Sequence, residues 1–524
     1  MTQAATLEAG TISRSHATRL FVASCMALTG SAMMFAVMGA VRGPWKQHFI
    51  FSNEQIGWIA SAGAGFTLSM LFLGPLCDAL GMGIILGFAF VTQIAGLVTI
   101  MSASGDNAFW MLFAGTLLHG IGGGAIEAAC NPLIATIYPD RKTEKLNQFH
   151  MWFPGGIVIG GVMAYALDKG GWSWWQLKIG LVGLPAIAYG LMFLGQKFPA
   201  TERVAAGVSF GGMFKETLLR PLFLVLLFCM MLTASLELGP NTWITPVLEA
   251  GGIPGILVLV WITGLMAVLR FFAGPVVKAL GNSGVLLLSS ILGGVGLLML
   301  SFSTNVVMAG ISATIFGIGV CYFWPTMIGT AAERVPNGGA FALGLLGGLG
   351  GLFVNVVTTP AMGKISDVYV QRELNGQCAA TAAVLEKVAA SYPAWAANNA
   401  VDRKEINATV EMAKAMLPQA KAGRLPEVVN VGNEMISPAN IFRAIIKAAP
   451  SAGDAKVKAD AGLMAAAKAG EEADAMLRPA DNHGGLMSFR YVAPMSLVLI
   501  LIFGIMFIQD RQRARQVLPS VVPV

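Results

Sequence analysis

Apolar residues in this chain recur in long, nearly uncharged runs rather than as one face of a helix, as in Leu222 to Leu232, Val285 to Phe302 and Tyr491 to Ile508. Such runs predict membrane-spanning helices. The pattern places them at 19–41, 56–77, 82–103, 108–137, 148–168, 176–197, 220–247, 253–277, 283–303, 306–331, 338–365 and 488–508. Each is near or above the roughly twenty residues that a bilayer requires.

An internal repeat organises these spans. Gly74-Pro75-Leu-Cys-Asp78-Ala-Leu-Gly81 returns two hundred residues later as Gly274-Pro275-Val-Val-Lys278-Ala-Leu-Gly281. Weaker echoes pair Asn131-Pro132 with Trp324-Pro325 and Gly43-Pro44 with Gly239-Pro240. Six helices followed by a similar six in the same orientation describe two halves related by an axis along the membrane normal. The predicted fold class is therefore all-α integral membrane, with twelve transmembrane helices. The predicted division is a tail at 1–18, a six-helix half at 19–197, a linker at 198–219, helices seven to eleven at 220–365, an insertion at 366–487, helix twelve at 488–508 and a tail at 509–524. The insertion is Ala-rich with interspersed charges, as in 405–417 and 461–471, which predicts short amphipathic helices forming a cap.

Composition agrees with this reading and narrows it. The chain of 524 residues is 55% hydrophobic and only 12% charged, and its 63 glycines suit close packing of membrane helices. Lys and Arg of the short connections fall mostly on the side of the N-terminus, including Arg141, Lys142, Lys145, Lys215, Lys278 and Arg334. The positive-inside rule then predicts both termini in the cytoplasm, the insertion outside, and residence in a plasma (inner) membrane. The net charge of +6 is spread over loops, which gives no surface for nucleic acid. Six scattered cysteines make no metal or disulfide framework, no cofactor is implied, and no nucleophile, base and orienting group cluster as in an enzyme.

The residue that most needs explaining is Glu127, in Gly122-Gly-Gly-Ala-Ile-Glu127-Ala-Ala-Cys-Asn131-Pro132. An ionised side chain at a bilayer centre costs about 2.5–3.5 kcal/mol or more. An embedded glutamate suits ion coupling, because it can load a proton on one side and release it on the other, and neutralising it removes the cost of moving the site. Its plainer role is a polar anchor between helices. Glu237, in the seventh helix, is the second candidate. Arg270 near the cytoplasmic end of the eighth helix either pairs with an acid or snorkels to the interface. Asn131, Asn147, His150, Asn241, Trp243 and Trp324 supply amides, imidazole and flat apolar faces of the kind a polar solute needs, although aromatics in spans also serve packing.

Two six-helix halves with Gly74-x-x-x-Asp78-x-x-Gly81 between the second and third helices resemble the major facilitator superfamily. That motif's expected role is in conformational change. The usual basic residues after it are absent, since Met82-Gly-Ile-Ile follows. Within that superfamily, Glu127-x-x-x-Asn131-Pro132 followed by Leu146-Asn147-x-x-His150-x-x-Phe153-x-Gly155 resembles the fucose, galactose and glucose proton symporters. The resemblance implies proton coupling and sugar binding at Glu127. The acid that family carries late in its first helix has no counterpart in Val37-Met-Gly-Ala-Val-Arg42-Gly-Pro-Trp-Lys46. Glu237 in the repeat partner of that helix is the candidate substitute.

The expected function is thus a secondary transporter working by alternating access. Its expected partners are a small solute such as a sugar or similar polar metabolite, a coupling proton or other ion, and the lipid bilayer. An exporter or facilitator of another small molecule is the alternative, and a membrane sensor or scaffold using the insertion is a third.

Overall fold

The computed structural model describes residues 13–517 apart from 50, 52, 400, 401 and 433, so the expected tails at 1–18 and 509–524 lie partly outside the described residues. Among the described residues, eleven helices are long and apolar enough to cross a membrane, and Gly255–Phe271 is apolar but shorter. The first half contains Arg14–His48, a second span ending at Leu80, Met82–Met101, Ala108–Ile137, a fifth span made of Lys142–His150 and Trp152–Lys169, and Trp175–Phe193. The second half contains Pro221–Ala250, Gly255–Phe271, the helix Ala273–Leu300, a tenth span made of Val306–Val320 and Phe323–Arg334, an eleventh beginning at Gly339, and Met495–Val517.

The repeat is visible in the backbone. Gly81 ends the second span with φ +94°, and Gly281 interrupts Ala273–Leu300 with φ +69°. Both turns need a conformation that side chains with a Cβ resist, which is why glycine stands at both places. The turn at Gly281 also moves a boundary. The eighth span was expected at 253–277, but helix continues from Ala273 to Leu280 beyond a break at Phe272. Arg270 therefore lies in the last turn of Gly255–Phe271, and the helix that resumes at Ala273 carries the span about 15 Å further to that turn.

The insertion was expected to start at 366 and to hold short helices. Instead the eleventh span passes through a π-helical segment at Val354–Thr358 and stays helical to Gly376. Apolarity ends near the expected boundary, but helix propensity does not, so hydropathy marks the span and not the helix. Ala461–Val492 returns alongside it, with Gly484 against Ser366, and leads into Met495–Val517. This paired stalk carries helices Cys378–Asn398, Arg403–Lys421 and Pro438–Ala448 and a hairpin of Val429–Val431 with Glu434–Ile436. The cap has its own core around Leu385, Tyr392, Ile406, Met416 and Phe442. Tyr392 donates its hydroxyl to the Ile445 carbonyl at 2.8 Å, which satisfies a polar group inside that core. The stalk is braced on the seventh span, where Asn482 donates to the Val247 carbonyl at 2.8 Å.

Candidate functional site

Three prolines prepare the centre of the bundle. A proline has no amide hydrogen, so the carbonyl four residues before it loses its helical partner. Pro154 does this to His150 and Pro325 to Cys321. Both carbonyls are claimed by one side chain: Arg270 donates from Nη1 to His150 O at 3.1 Å and from Nε to Cys321 O at 2.5 Å. Its Nη2 donates to Glu237 Oε1 at 3.0 Å. Arg270 and Glu237 are each only 3% exposed, so this ion pair is buried. Pairing, not snorkelling, is what Arg270 does. Glu237 Oε2 has no hydrogen-bond partner. Pro132, the third, sits inside an unbroken Ala108–Ile137, whereas the tenth span breaks at Cys321–Tyr322. The two prolines that the repeat pairs, Pro132 and Pro325, thus have unequal effects on their helices.

Glu127 lies on the other side of His150. Asn131, one turn along the same helix, donates Nδ2 to Glu127 Oε2 at 2.8 Å. Its Oδ1 lies 3.0 Å from His150 Nε2. An amide oxygen only accepts, so Nε2 carries the hydrogen and the neutral ring leaves Nδ1 as an acceptor. That Nδ1 faces Glu127 Oε1 at 3.7 Å. Glu127, Asn131 and His150 are all at most 2% exposed. A chain of groups therefore runs from Glu127 through His150 to Arg270 and Glu237, crossing from one half to the other.

Further contacts close the terminal side of the interface, the side of the two chain ends. Asp78 accepts from Thr201 Oγ1 at 2.5 Å and from the Phe341 amide at 3.3 Å, so it caps the start of the eleventh span. The basic partner missing from the motif comes from the linker, where Arg203 Nε is 3.5 Å from Asp78 Oδ1. Sequence reasoning missed this because the two residues are 125 apart. Thr143 donates to Glu333 at 2.8 Å, Lys142 to the Ala332 carbonyl at 3.2 Å, and Asn147 to Thr326 Oγ1 at 3.3 Å. Gly74 and Gly344 let the second and eleventh spans touch through backbone.

Of the sequence candidates, the structure brings Glu127, Asn131, His150, Glu237 and Arg270 into one cluster and sets Asn147 one turn below it. Trp324 sits beside it, against Gly347 where the second and eleventh spans meet. Asn241 is one turn beyond Glu237 on the seventh span and its Oδ1 is unpartnered. Trp243 stands apart, packed against Gly363. Among the described residues no group of His, Cys, Asp and Glu could hold a metal ion.

The sequence profile of the Major Facilitator Superfamily matches residues 20–373. No functionally curated protein matches the chain. Among solved structures, FucP in its outward conformation superposes with a TM-score of 0.56 at 17% identity, covering 66% of this chain and 92% of its own. The proton:xylose symporter XylE gives 0.54 at 13% identity over 67% and 89%. The human organic anion transporter MFSD10 gives 0.50 at 14% identity over 66% and 92%. At these identities the likeness is one of fold.

Proposed function

The chain belongs to the Major Facilitator Superfamily, and we propose that this transporter couples inward movement of a sugar or similar small polar metabolite to a proton carried by Glu127. The reading is supported most by one observation, the buried chain Glu127, His150, Arg270 and Glu237 across the two halves. Structures described as a fucose:proton symporter and a proton:xylose symporter share the fold, which is consistent with it.

The charge count explains why a proton matters. Arg270 contributes +1 and the two glutamates −1 each when ionised, so the set is neutral only when one glutamate holds a proton. A net charge in a low-dielectric interior costs several kcal/mol. Glu237 is tied to the guanidinium, which leaves Glu127 as the group that takes the proton. Once protonated on Oε1, Glu127 faces the acceptor Nδ1 of His150, and closing 3.7 Å to hydrogen-bond length forms a stepping stone for release. Solute binding beside a neutral cluster then permits the halves to rock, and the terminal-side bonds at Asp78, Lys142 and Thr143 must open for delivery. The orientation that goes with this has both termini in the cytoplasm and the cap outside.

The test is reconstitution into lightly buffered vesicles. Adding a transported solute should alkalinise the outer medium, and Glu127→Gln should abolish that signal. Solute-driven proton movement that persists in Glu127→Gln would overturn the assignment.

A further inference from the structure

On the terminal side, the linker ends in a helix, Phe210–Leu218, that leads into the seventh span at Pro221. This helix is seated on the start of the eleventh span. The Phe214 ring lies 4.6 Å from that of Phe341, and a Cβ on Gly338 would meet Thr217 Oγ1 at 3.0 Å. Phe341 gives its amide to Asp78, and Thr201 and Arg203 near the start of the linker reach the same aspartate. The linker therefore ties the second span to the eleventh, and whatever fixes its helix against the eleventh span favours closure of the terminal side.

A cavity of about 390 Å³ opens beside this helix, lined by Lys215, Glu216, Leu219, Arg220 and Asn337. Its size falls within the roughly 300–1,000 Å³ of small-ligand sites. The lining sets two cations against one acid. Arg220 donates from Nη1 to Glu216 Oε2 at 3.0 Å, which leaves most of its five N–H donors free. Lys215 is exposed and makes no ion pair among the described residues. Asn337 adds an amide from the turn Pro336–Gly338 before the eleventh span. Free donors and a net positive charge suit an anion with several oxygens, as a phosphate has.

Depth decides the source of that phosphate. Arg220 immediately precedes the first residue of a spanning helix, which puts the cavity at headgroup level. Leu219 in the lining is 70% exposed, and Leu224, Val225 and Phe228 continue an exposed apolar face along the seventh span. The halves are in contact on this side, through Gly74 with Gly344 and Thr143 with Glu333, so that face meets acyl chains and not a gap between the halves. We propose that the cavity binds the headgroup of an anionic phospholipid from the leaflet on the side of the chain ends, with its phosphate on Lys215 and Arg220. Because Asn337 lines the same cavity, the bound headgroup bridges the end of the linker to the start of the eleventh span and holds the terminal side closed. This goes beyond the transport reading and does not depend on the solute or the coupling ion.

The test places the purified full chain in nanodiscs of phosphatidylcholine with increasing phosphatidylglycerol. Phosphatidylglycerol should raise Tm and slow maleimide labelling of Thr136→Cys, a position between the linker and the start of the eleventh span. Lys215→Gln should raise the phosphatidylglycerol fraction needed for half the effect about fivefold, the loss expected for one cation at a membrane surface, and Lys215→Arg should leave it near the wild-type value. A phosphatidylglycerol effect unchanged in Lys215→Gln would show a general response to membrane charge and overturn the site. The same shift produced by soluble glycerol 1-phosphate in pure phosphatidylcholine discs would assign the cavity to a free phosphate and overturn the lipid assignment. Stabilisation without slower labelling would overturn the link to closure.

Discussion

Replacing Arg270 with methionine removes three buried interactions at once: the ion pair to Glu237 and the bonds to the carbonyls of His150 and Cys321. Breaking a buried pair by deleting one partner costs about 3–5 kcal/mol. Each orphaned buried acceptor adds about 1–3 kcal/mol. The low end of each contribution sums to about 5 kcal/mol, a large fraction of the stability of most folded proteins. The double variant Arg270→Met with Glu237→Met removes the stranded acid and should recover about 3 kcal/mol, leaving about 2 kcal/mol for the two carbonyls. Reversible unfolding in mixed micelles measures both variants, and the cycle reports the coupling directly. A loss below about 1 kcal/mol in the single variant, or a double variant no more stable than the single, would refute the pairing and the proline argument behind it.

Two other consequences concern movement. A Cβ on Gly344 would lie 2.8 Å from the Met70 carbonyl, so Gly344→Val should stop the terminal side from closing; a cysteine at Thr136 should then become reactive to a soluble maleimide, and unchanged labelling would count against this interface as the gate. Pro325→Ala returns an amide hydrogen that can bond Cys321 O, competing with Arg270 Nε. Transport should slow while fold stability changes little, and a variant with normal transport rate would show that the freed carbonyl is not needed.

The fold was legible because a bilayer imposes long apolar runs and because the repeat at Gly74 and Gly274 survives as residues, down to glycines 81 and 281 with positive φ. Glu127 and Asn131 were readable as a unit because one helical turn separates them. The link from Glu237 to Arg270 to His150 was not, since it joins three spans at separations of 33 and 120 residues. Pro154 was the available signal: a proline four residues after His150 frees a carbonyl that needs a donor. The linker's Arg203 gave no signal at all, because a basic residue in a connection ordinarily reads as a solvated charge. Boundaries slipped where polar helix continues an apolar span, at 365 and 488, since the hydropathy that marks the bilayer does not mark the end of the helix.

The most direct test of Glu127 as the proton carrier compares two modes of transport in the same vesicles. With Glu127→Gln the cluster holds a permanently neutral group in place of the carboxyl, so solute exchange at equal pH should continue. Accumulation driven by an imposed pH gradient should fall to background. Gradient-driven accumulation at the wild-type level in that variant would contradict the assignment.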